Sequence, residues 1–254
     1  MCLIVFAYKV DQTPFLLAGN RDEFYSRPTK EAQFWETKPD ILAGKDLKAG
    51  GTWMGITKKG RFAALTNYRD MNQIKENAPS RGHIVSDFLE SDIDTESYLE
   101  SLGKKGHQYN GFNLIAGYVD NLYYYTNQKD GFIKLKPGYY SISNTFLQTE
   151  WPKTKDALQE FKQLLKQGAE DEKFFDMLAN PKTYPLDELP ATGLSDELEK
   201  AVSAIFIQTE DYGSRCSTVI ETKNDSEISF SERTYIKGTN KEKKTVNYEF
   251  EIDS

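Results

Sequence analysis

The stretch MCLIVFAYKVDQTPFLLAGNRDEF, residues 1–24, decides the fold. Residues 2–8 and 14–19 are apolar runs of strand length, and the polar residues 11–13, followed by a proline, favour a turn between them. Together they predict an antiparallel hairpin. In such a hairpin the end of the second strand lies beside the start of the first.

A polar segment follows the second strand. We predict a loop over residues 20–28, because Pro28 excludes a helix through it. The hairpin places Cys2 beside Arg21 and Asp22 in that segment. An arginine near a thiol favours the thiolate, and an aspartate can orient an amine. The alternative is an ordinary solvated turn with an Arg–Asp pair, which contributes little stability.

Cys2 is the candidate nucleophile. Removal of Met1, which is usual before a small residue, leaves a chain that begins with cysteine. The thiol and the α-amine then have reference pKa values of about 8.5 and 7.7–8.0, so the amine can take the proton from the thiol. The alternative is that Cys2 is a small buried residue at the start of a strand.

Beyond the hairpin, the pattern predicts an α+β fold. Turns separate short apolar runs up to residue 70, which indicates an antiparallel sheet, and no βαβ alternation occurs. We predict one domain over residues 1–254. Lys237 to Lys244 is expected to be a solvated loop. The predicted helices are 83–89, 94–102, a long one from Trp151 to just before Gly168, 174–178 and 194–202; the predicted later strands are 111–117, 121–126, 131–135, 139–143, 204–208, 217–222, 228–235 and 246–252.

The composition excludes several classes of protein. A net charge of -7 argues against sequence-independent binding to nucleic acid or anionic membrane, although a local basic pocket can still bind a small anion. No apolar run approaches the roughly 20 residues that span a bilayer, and no signal peptide is evident. We therefore expect a cytoplasmic protein. The cysteines, Cys2 and Cys216, form no disulfide framework, and the spacing of His83 and His107 predicts no metal site.

Three further polar residues stand at strand ends. Asn67 and Asn144 each follow an apolar strand, where an amide can donate to an oxyanion. Arg215 lies at the entry of a late strand, where it can pair with a carboxylate. The alternatives are that both asparagines favour turns and that Arg215 forms a surface ion pair.

Six motifs lie along nearly the whole chain: MC at 1–2, NRDE at 20–23, GGTWMG at 50–55, SN at 143–144, WPK at 151–153 and YGSR at 212–215. Together they resemble the NRDE, or transport-and-Golgi-organisation-2, family. That family is similar to N-terminal nucleophile amidohydrolases such as bile salt hydrolases and penicillin V acylases. The resemblance implies a four-layer αββα sandwich of two antiparallel sheets between helices.

The resemblance also implies roles for the candidate residues. Cys2 would be the nucleophile with its own amine as base, Asn144 and Asn67 would hold the oxyanion, and Arg215 would be the late active-site arginine. Around Arg21 and Asp22 the sequence departs from the acylases, which have Arg-Asn-x-Asp where this chain has Asn-Arg-Asp.

Two functions follow from this sequence. The first is a cysteine hydrolase acting on a linear amide or another acyl bond, with no cofactor required. The second, from what is known of the family, is a non-catalytic protein that binds or transports haem or an acyl-lipid or acyl-CoA ligand in the same pocket. Arg21 or Arg215 would then face the anionic group of the ligand.

Overall fold

The computed structural model describes residues 2–224 and 226–253. Its first sheet has six antiparallel strands in the order β10-β1-β2-β11-β12-β13. The predicted hairpin of β1 and β2 lies near its centre. With numbering in chain order, the strands are β1 (Cys2–Val10), β2 (Thr13–Phe24), β10 (Gly138–Ile142), β11 (Tyr212–Lys223), β12 (Glu227–Tyr235) and β13 (Glu242–Glu251).

The second sheet has seven antiparallel strands, each paired with its neighbours in sequence. This order agrees with the succession of hairpins read from the sequence. Its strands are β3 (Thr29–Trp35), β4 (Lys38–Asp46), β5 (Met54–Thr57), β6 (Arg61–Asn67), β7 (Phe112–Tyr118), β8 (Asn121–Thr126) and β9 (Phe132–Lys134).

Five α-helices are present in the described part of the chain. The longest begins with Pro152 in its first turn, and Gly168, with a φ of +62°, follows its end as the sequence predicted. No helix among the described residues is long and apolar enough to cross a membrane. The helices are α1 (Gly82–Glu90), α2 (Thr95–Lys105), α3 (Pro152–Lys166), α4 (Asp171–Leu178) and α5 (Asp196–Ala201).

Three apolar layers hold these elements together. In β1, Ile4 and Phe6 point into a core between the two sheets, whereas Leu3 and Val5 pack against α3 and α4. A third core lies between the second sheet and α1 and α2. Because β1 is covered on both faces, its apolar run is continuous instead of alternating. The result is the αββα arrangement, so the predicted α+β fold is confirmed.

Several predicted boundaries are wrong. The segment predicted as a loop from residue 20 continues as strand β2 to Phe24, because its polar side chains find partners inside the protein. Residues 204–208 form no strand apart from an isolated bridge between Gln208 and Gly213. The sequence pattern missed strand β4, and strand β13 begins at Glu242, inside the predicted solvated loop.

Candidate functional site

Cys2 and Arg21 are direct partners in the first sheet, so the two residues are neighbours, as the sequence predicted. The pairing continues from Arg21 to Cys216 and from Cys216 to Thr234, so the four residues form one row across β1, β2, β11 and β12. Directly opposed residues of antiparallel strands project from the same face. Ile4, two residues along, lies in the core between the sheets, so this row lies at the end of that core.

The row forms part of the wall of a cavity of about 620 Å³. This volume is within the usual range for small-molecule sites. Both sheets contribute to it, the second through Trp53, Leu65 and Asn67, and the start of α1 contributes Arg81. Among the six sequence-predicted residues, Cys2, Arg21, Asp22, Asn67 and Arg215 line the cavity.

Cys2 is buried, with 6% of its surface exposed. Burial raises the pKa of its thiol, while Arg21 and the backbone of Asp22 act in the opposite direction. Its carbonyl oxygen accepts a hydrogen bond from Ser143 Oγ at 3.0 Å. The start of β1 is therefore held in place, and the thiol needs a base to become a nucleophile.

Arg21 is equally buried and lies between the two cysteines. Its guanidinium is 3.8 Å from the carboxylate of Glu23 and donates to Thr29 Oγ1 at 3.4 Å. Both partners are held loosely at these distances. The cation therefore lies close enough to favour negative charge on either thiol.

Asp22 accepts a hydrogen bond from Ser214 Oγ at 2.6 Å. Burial raises the pKa of its carboxyl, and the positive charge of Lys153 opposes that rise. Lys153, in the first turn of α3, is 2% exposed and donates to the carbonyl oxygen of Val202 at 2.9 Å. Burial lowers the pKa of Lys153 to about 8. Its WPK motif marked the position in the sequence, but the pattern gave it no role.

The two candidate oxyanion asparagines are brought together. Asn144 Nδ2 donates to the backbone oxygen of Asn67 at 3.0 Å, and Ser143 Oγ donates to Asn144 Oδ1 at 3.1 Å. Asn144 is fully buried and is not among the residues that line the cavity, whereas Asn67 lines it. Asn144 thus joins the end of β6 to the segment that holds Cys2.

Arg215 occupies a β-bulge. In the pairing of β2 with β11, Ser214 opposes Asp22 and Cys216 opposes Arg21, so Arg215 is the extra residue. Its Nη1 donates to the carbonyl oxygens of Phe24 and Arg27, at 2.9 Å for Phe24. Arg215 therefore fixes the turn after β2 and also lines the cavity.

The sequence analysis gave no role to three other residues that line the cavity, Cys216, Glu232 and Arg81. Glu232 lies near Cys216, and its Oε1 accepts from the backbone nitrogen of Ala32 in the second sheet at 2.7 Å. Burial raises the pKa of both Cys216 and Glu232. Arg81 Nη1 donates to the carbonyl oxygen of Gly111 at 2.8 Å. In the described ranges, no group of three or more His, Cys, Asp or Glu side chains is placed to hold a metal ion.

Sequence comparison finds relatives over the whole length of the chain. A sequence model of the family described as Transport and Golgi organisation 2 matches residues 1–237. The mouse Transport and Golgi organization 2 homolog is 36% identical over 283 residues, with 100% of both chains covered. The Drosophila melanogaster Transport and Golgi organization protein 2 is 27% identical, with 92% of each chain covered.

Structural comparison extends the similarity to a hydrolase. The C2A mutant of the conjugated bile acid hydrolase from Clostridium perfringens superposes with a TM-score of 0.53 at 10% sequence identity. The alignment covers 98% of this chain and 92% of the hydrolase. At this identity the match shows a shared fold, and the roles of side chains have to come from the site itself.

Proposed function

Because this chain belongs to the Transport and Golgi organisation 2 family and has the fold of an N-terminal nucleophile hydrolase, we propose that it is a cysteine hydrolase of acyl bonds. The supporting observation is the position of Cys2, paired with Arg21 in the wall of a 620 Å³ cavity. The bond that is cleaved is an amide, a thioester or another acyl bond.

The proposed reaction begins with removal of Met1, which lies outside the described residues. The freed α-amine of Cys2 takes the proton of the thiol, and Arg21 favours the resulting thiolate. The buried carboxyl of Asp22 orients the amine. Sulfur attacks the acyl carbonyl, and the proton passes from the amine to the leaving group. Water then releases the acyl group and restores the thiol.

Asn67 is the proposed donor to the oxyanion, because it lines the cavity. Asn144 would act through Asn67, since its amide holds the Asn67 backbone oxygen. Arg215 would maintain the turn that borders the cavity.

The experiment is a screen of N-acyl amides and acyl thioesters with the wild type and Cys2→Ala. We expect hydrolysis to be lost in Cys2→Ala, while Cys216→Ala still forms an acyl adduct on Cys2 that intact mass spectrometry detects. Circular dichroism checks that both variants fold. Activity that persists in Cys2→Ala, or Met1 retained in the active protein, contradicts the proposal.

Haem fits this cavity poorly. A porphyrin needs apolar walls for its faces, whereas most of the lining residues are charged or polar. Neither His83 nor His107 is among the described residues that line the cavity. The reaction proposed here therefore includes no haem step.

A further inference from the structure

A group of buried charges lies on the helix side of the first sheet, behind the strand that carries Cys2. Its members are Asp22, Arg69, Lys153 and Glu199. Asp22, Lys153 and Glu199 are buried, and the side chain of Arg69 is 6% exposed. Charges removed from water destabilise a protein unless they compensate one another. The pairing within the group therefore decides what each member can do.

Arg69 and Glu199 compensate each other. Arg69 Nη2 is 3.2 Å from Glu199 Oε2. The other oxygen of that carboxylate, Oε1, accepts a hydrogen bond from the backbone nitrogen of Thr192 at 2.8 Å. The guanidinium of Arg69 also lies over the ring of Trp151, 5.0 Å from its centroid. This ion pair leaves Asp22 and Lys153 as the remaining acid and base of the group.

Asp22 and Lys153 lie beside the same short segment, residues 202–207. Lys153 Nζ donates to the carbonyl oxygen of Val202 at 2.9 Å. Ser214 Oγ donates to Asp22 Oδ1 at 2.6 Å and accepts from the backbone nitrogen of Ile207 at 2.9 Å. The negative charge of Asp22 is the largest influence that favours the ammonium of Lys153. The two charges therefore stabilise each other across this segment.

Lys153 is costly to bury. It forms no ion pair within 4 Å among the described residues. Besides Asp22, the groups that act on its charge are Arg69, Cys2 and Glu199, and burial outweighs them, lowering the pKa of Lys153 to about 8. A methionine of similar volume would fill the space without this cost. A buried charge that opposes folding is typical of a functional site.

We propose that Lys153 is a positioning residue that keeps the carboxylate of Asp22 charged, so that Asp22 holds the α-amine of Cys2 beside the thiol. The inference rests on the proposed function, in which that amine carries the thiol proton to the leaving group. Lys153 keeps its own proton throughout, because it is not among the residues that line the cavity. Its charge opposes the rise that burial causes in the pKa of Asp22. Without it, a protonated Asp22 would no longer attract the ammonium of Cys2.

The charge of Asp22 is measured by carbon-13 NMR of protein labelled at the aspartate carboxyl groups, with Asp22→Asn identifying the signal. We expect the midpoint of the Asp22 titration to rise by about 1–3 pH units in Lys153→Met. Lys155→Met removes an exposed lysine from the same helix and should leave that midpoint unchanged. An unchanged midpoint in Lys153→Met overturns the inference.

The coupling of the two charges is reciprocal, which provides a test on a different variant. Asp22→Asn should lower the midpoint of the Lys153 titration, followed by carbon-13 NMR of labelled lysines, by a similar amount. This measurement also covers the case in which Lys153→Met does not fold. A Lys153 midpoint that stays at its wild-type value in Asp22→Asn overturns the inference.

Turnover of p-nitrophenyl acetate separates the inference from the proposed function. We expect Lys153→Met to lower kcat about tenfold with little change in KM, and to lower it less than about twofold when Asp22→Asn is already present. Turnover that requires Cys2 but is unchanged in Lys153→Met supports a hydrolase and overturns the inference. Coupled titration of Asp22 and Lys153 without turnover supports the role of Lys153 at Asp22 and overturns the proposed function.

Discussion

Cys2 and Cys216 flank Arg21 in the same row, but their surroundings differ. Burial raises the pKa of both thiols. For Cys216 the rise is larger, and the negative charge of Glu232 adds to it. For Cys2 a backbone hydrogen bond at Asp22 opposes the rise, and the charge of Arg21 opposes it at both thiols. Because the thiolate is the reactive form, Cys2 is the more reactive of the two.

We predict that iodoacetamide labels Cys2 before Cys216, with a rate that still increases at pH 9. The reason is that the raised pKa leaves the thiolate a minor form below that pH. Arg21→Gln should slow the labelling of Cys2 severalfold at a given pH, because it removes a cation that favours the thiolate. Peptide mapping by mass spectrometry measures both rates.

Arg233→Gln is the matched control, because Arg233 pairs with Glu172 and is not among the residues lining the cavity. Faster labelling of Cys216, or unchanged labelling of Cys2 in Arg21→Gln, would contradict this assignment of reactivity.

Among the helices, α3 packs against the strand that carries Cys2 and places a buried cation, Lys153, near the site. Ala157 and Phe161 bury one face of the helix against the first sheet. That packing fixes its first turn, where Lys153 donates to the carbonyl oxygen of Val202 beside α5. The positive charge of Lys153 acts on Asp22, so α3 influences the site from outside the cavity.

Lys153→Met should change how stability depends on pH. The pKa of Lys153 is about 8 in the folded protein and 10.5 in the reference state. Between these values the unfolded chain keeps a proton that the folded protein has lost, so the wild type gains stability relative to the variant as pH rises. The full difference is roughly 3 kcal/mol, and below pH 8 it is constant.

Urea denaturation at pH 7, 8, 9 and 10 measures this difference. Lys155→Met removes an exposed lysine from the same helix and serves as the control. If the two variants show the same pH dependence, burial of the Lys153 ammonium is not its cause.

The sequence predicted that Cys2 lies beside Arg21 and Asp22, because a short turn and two apolar strands leave little freedom of register. It did not predict that Arg21 is itself a strand residue paired with Cys2, since it placed residue 20 at the start of a loop. It did not predict that Asn20 is buried. Asn20 donates to the carbonyl oxygens of Leu178 and Ile205, and these partners lie more than 150 residues away in the chain. Cys216 joined the row only through the pairing of β11 with β2, which is equally long-range.

Two errors in the strand predictions, the missed strand β4 and the strand wrongly predicted over residues 204–208, arise from reading strands off the apolar pattern alone. Strand β4 begins with three exposed residues, Lys38 to Asp40, and therefore lacks a clear alternation at its start. Residues 204–207 are apolar and buried, but their backbone forms no ladder with a neighbouring strand: Phe206 N donates to Asn180 O, and Ile207 N donates to the side chain of Ser214. Burial and strand formation are separate properties, and an apolar run alone reports burial.

At the scale of the molecule, the core between the sheets fixes the cavity. Phe15 of the first sheet and Phe62 of the second are fully buried, with ring centroids 5.2 Å apart. Cys2 and Asn67 lie on strands of opposite sheets, so their separation depends on how the sheets pack. The shared fold at 10% identity with a hydrolase indicates that this packing tolerates extensive sequence change.

Phe62→Ala tests that dependence. Removing a fully buried aromatic ring should lower the free energy of unfolding by about 3–5 kcal/mol, because a cavity remains where the ring was. Urea denaturation measures the loss. Ile133→Ala, at a side chain that is 61% exposed, should cost less than about 1 kcal/mol and is the control.

The same variant links the core to the site. If sheet packing fixes the cavity, Phe62→Ala should also change the rate at which iodoacetamide labels Cys2 under conditions where the protein stays folded, and Ile133→Ala should leave that rate unchanged. A large loss of stability with unchanged labelling of Cys2 would mean that local contacts, such as the hydrogen bond from Asn144 to Asn67, hold the cavity wall without help from the core. The comparison therefore separates control of the site by sheet packing from control by its own hydrogen bonds.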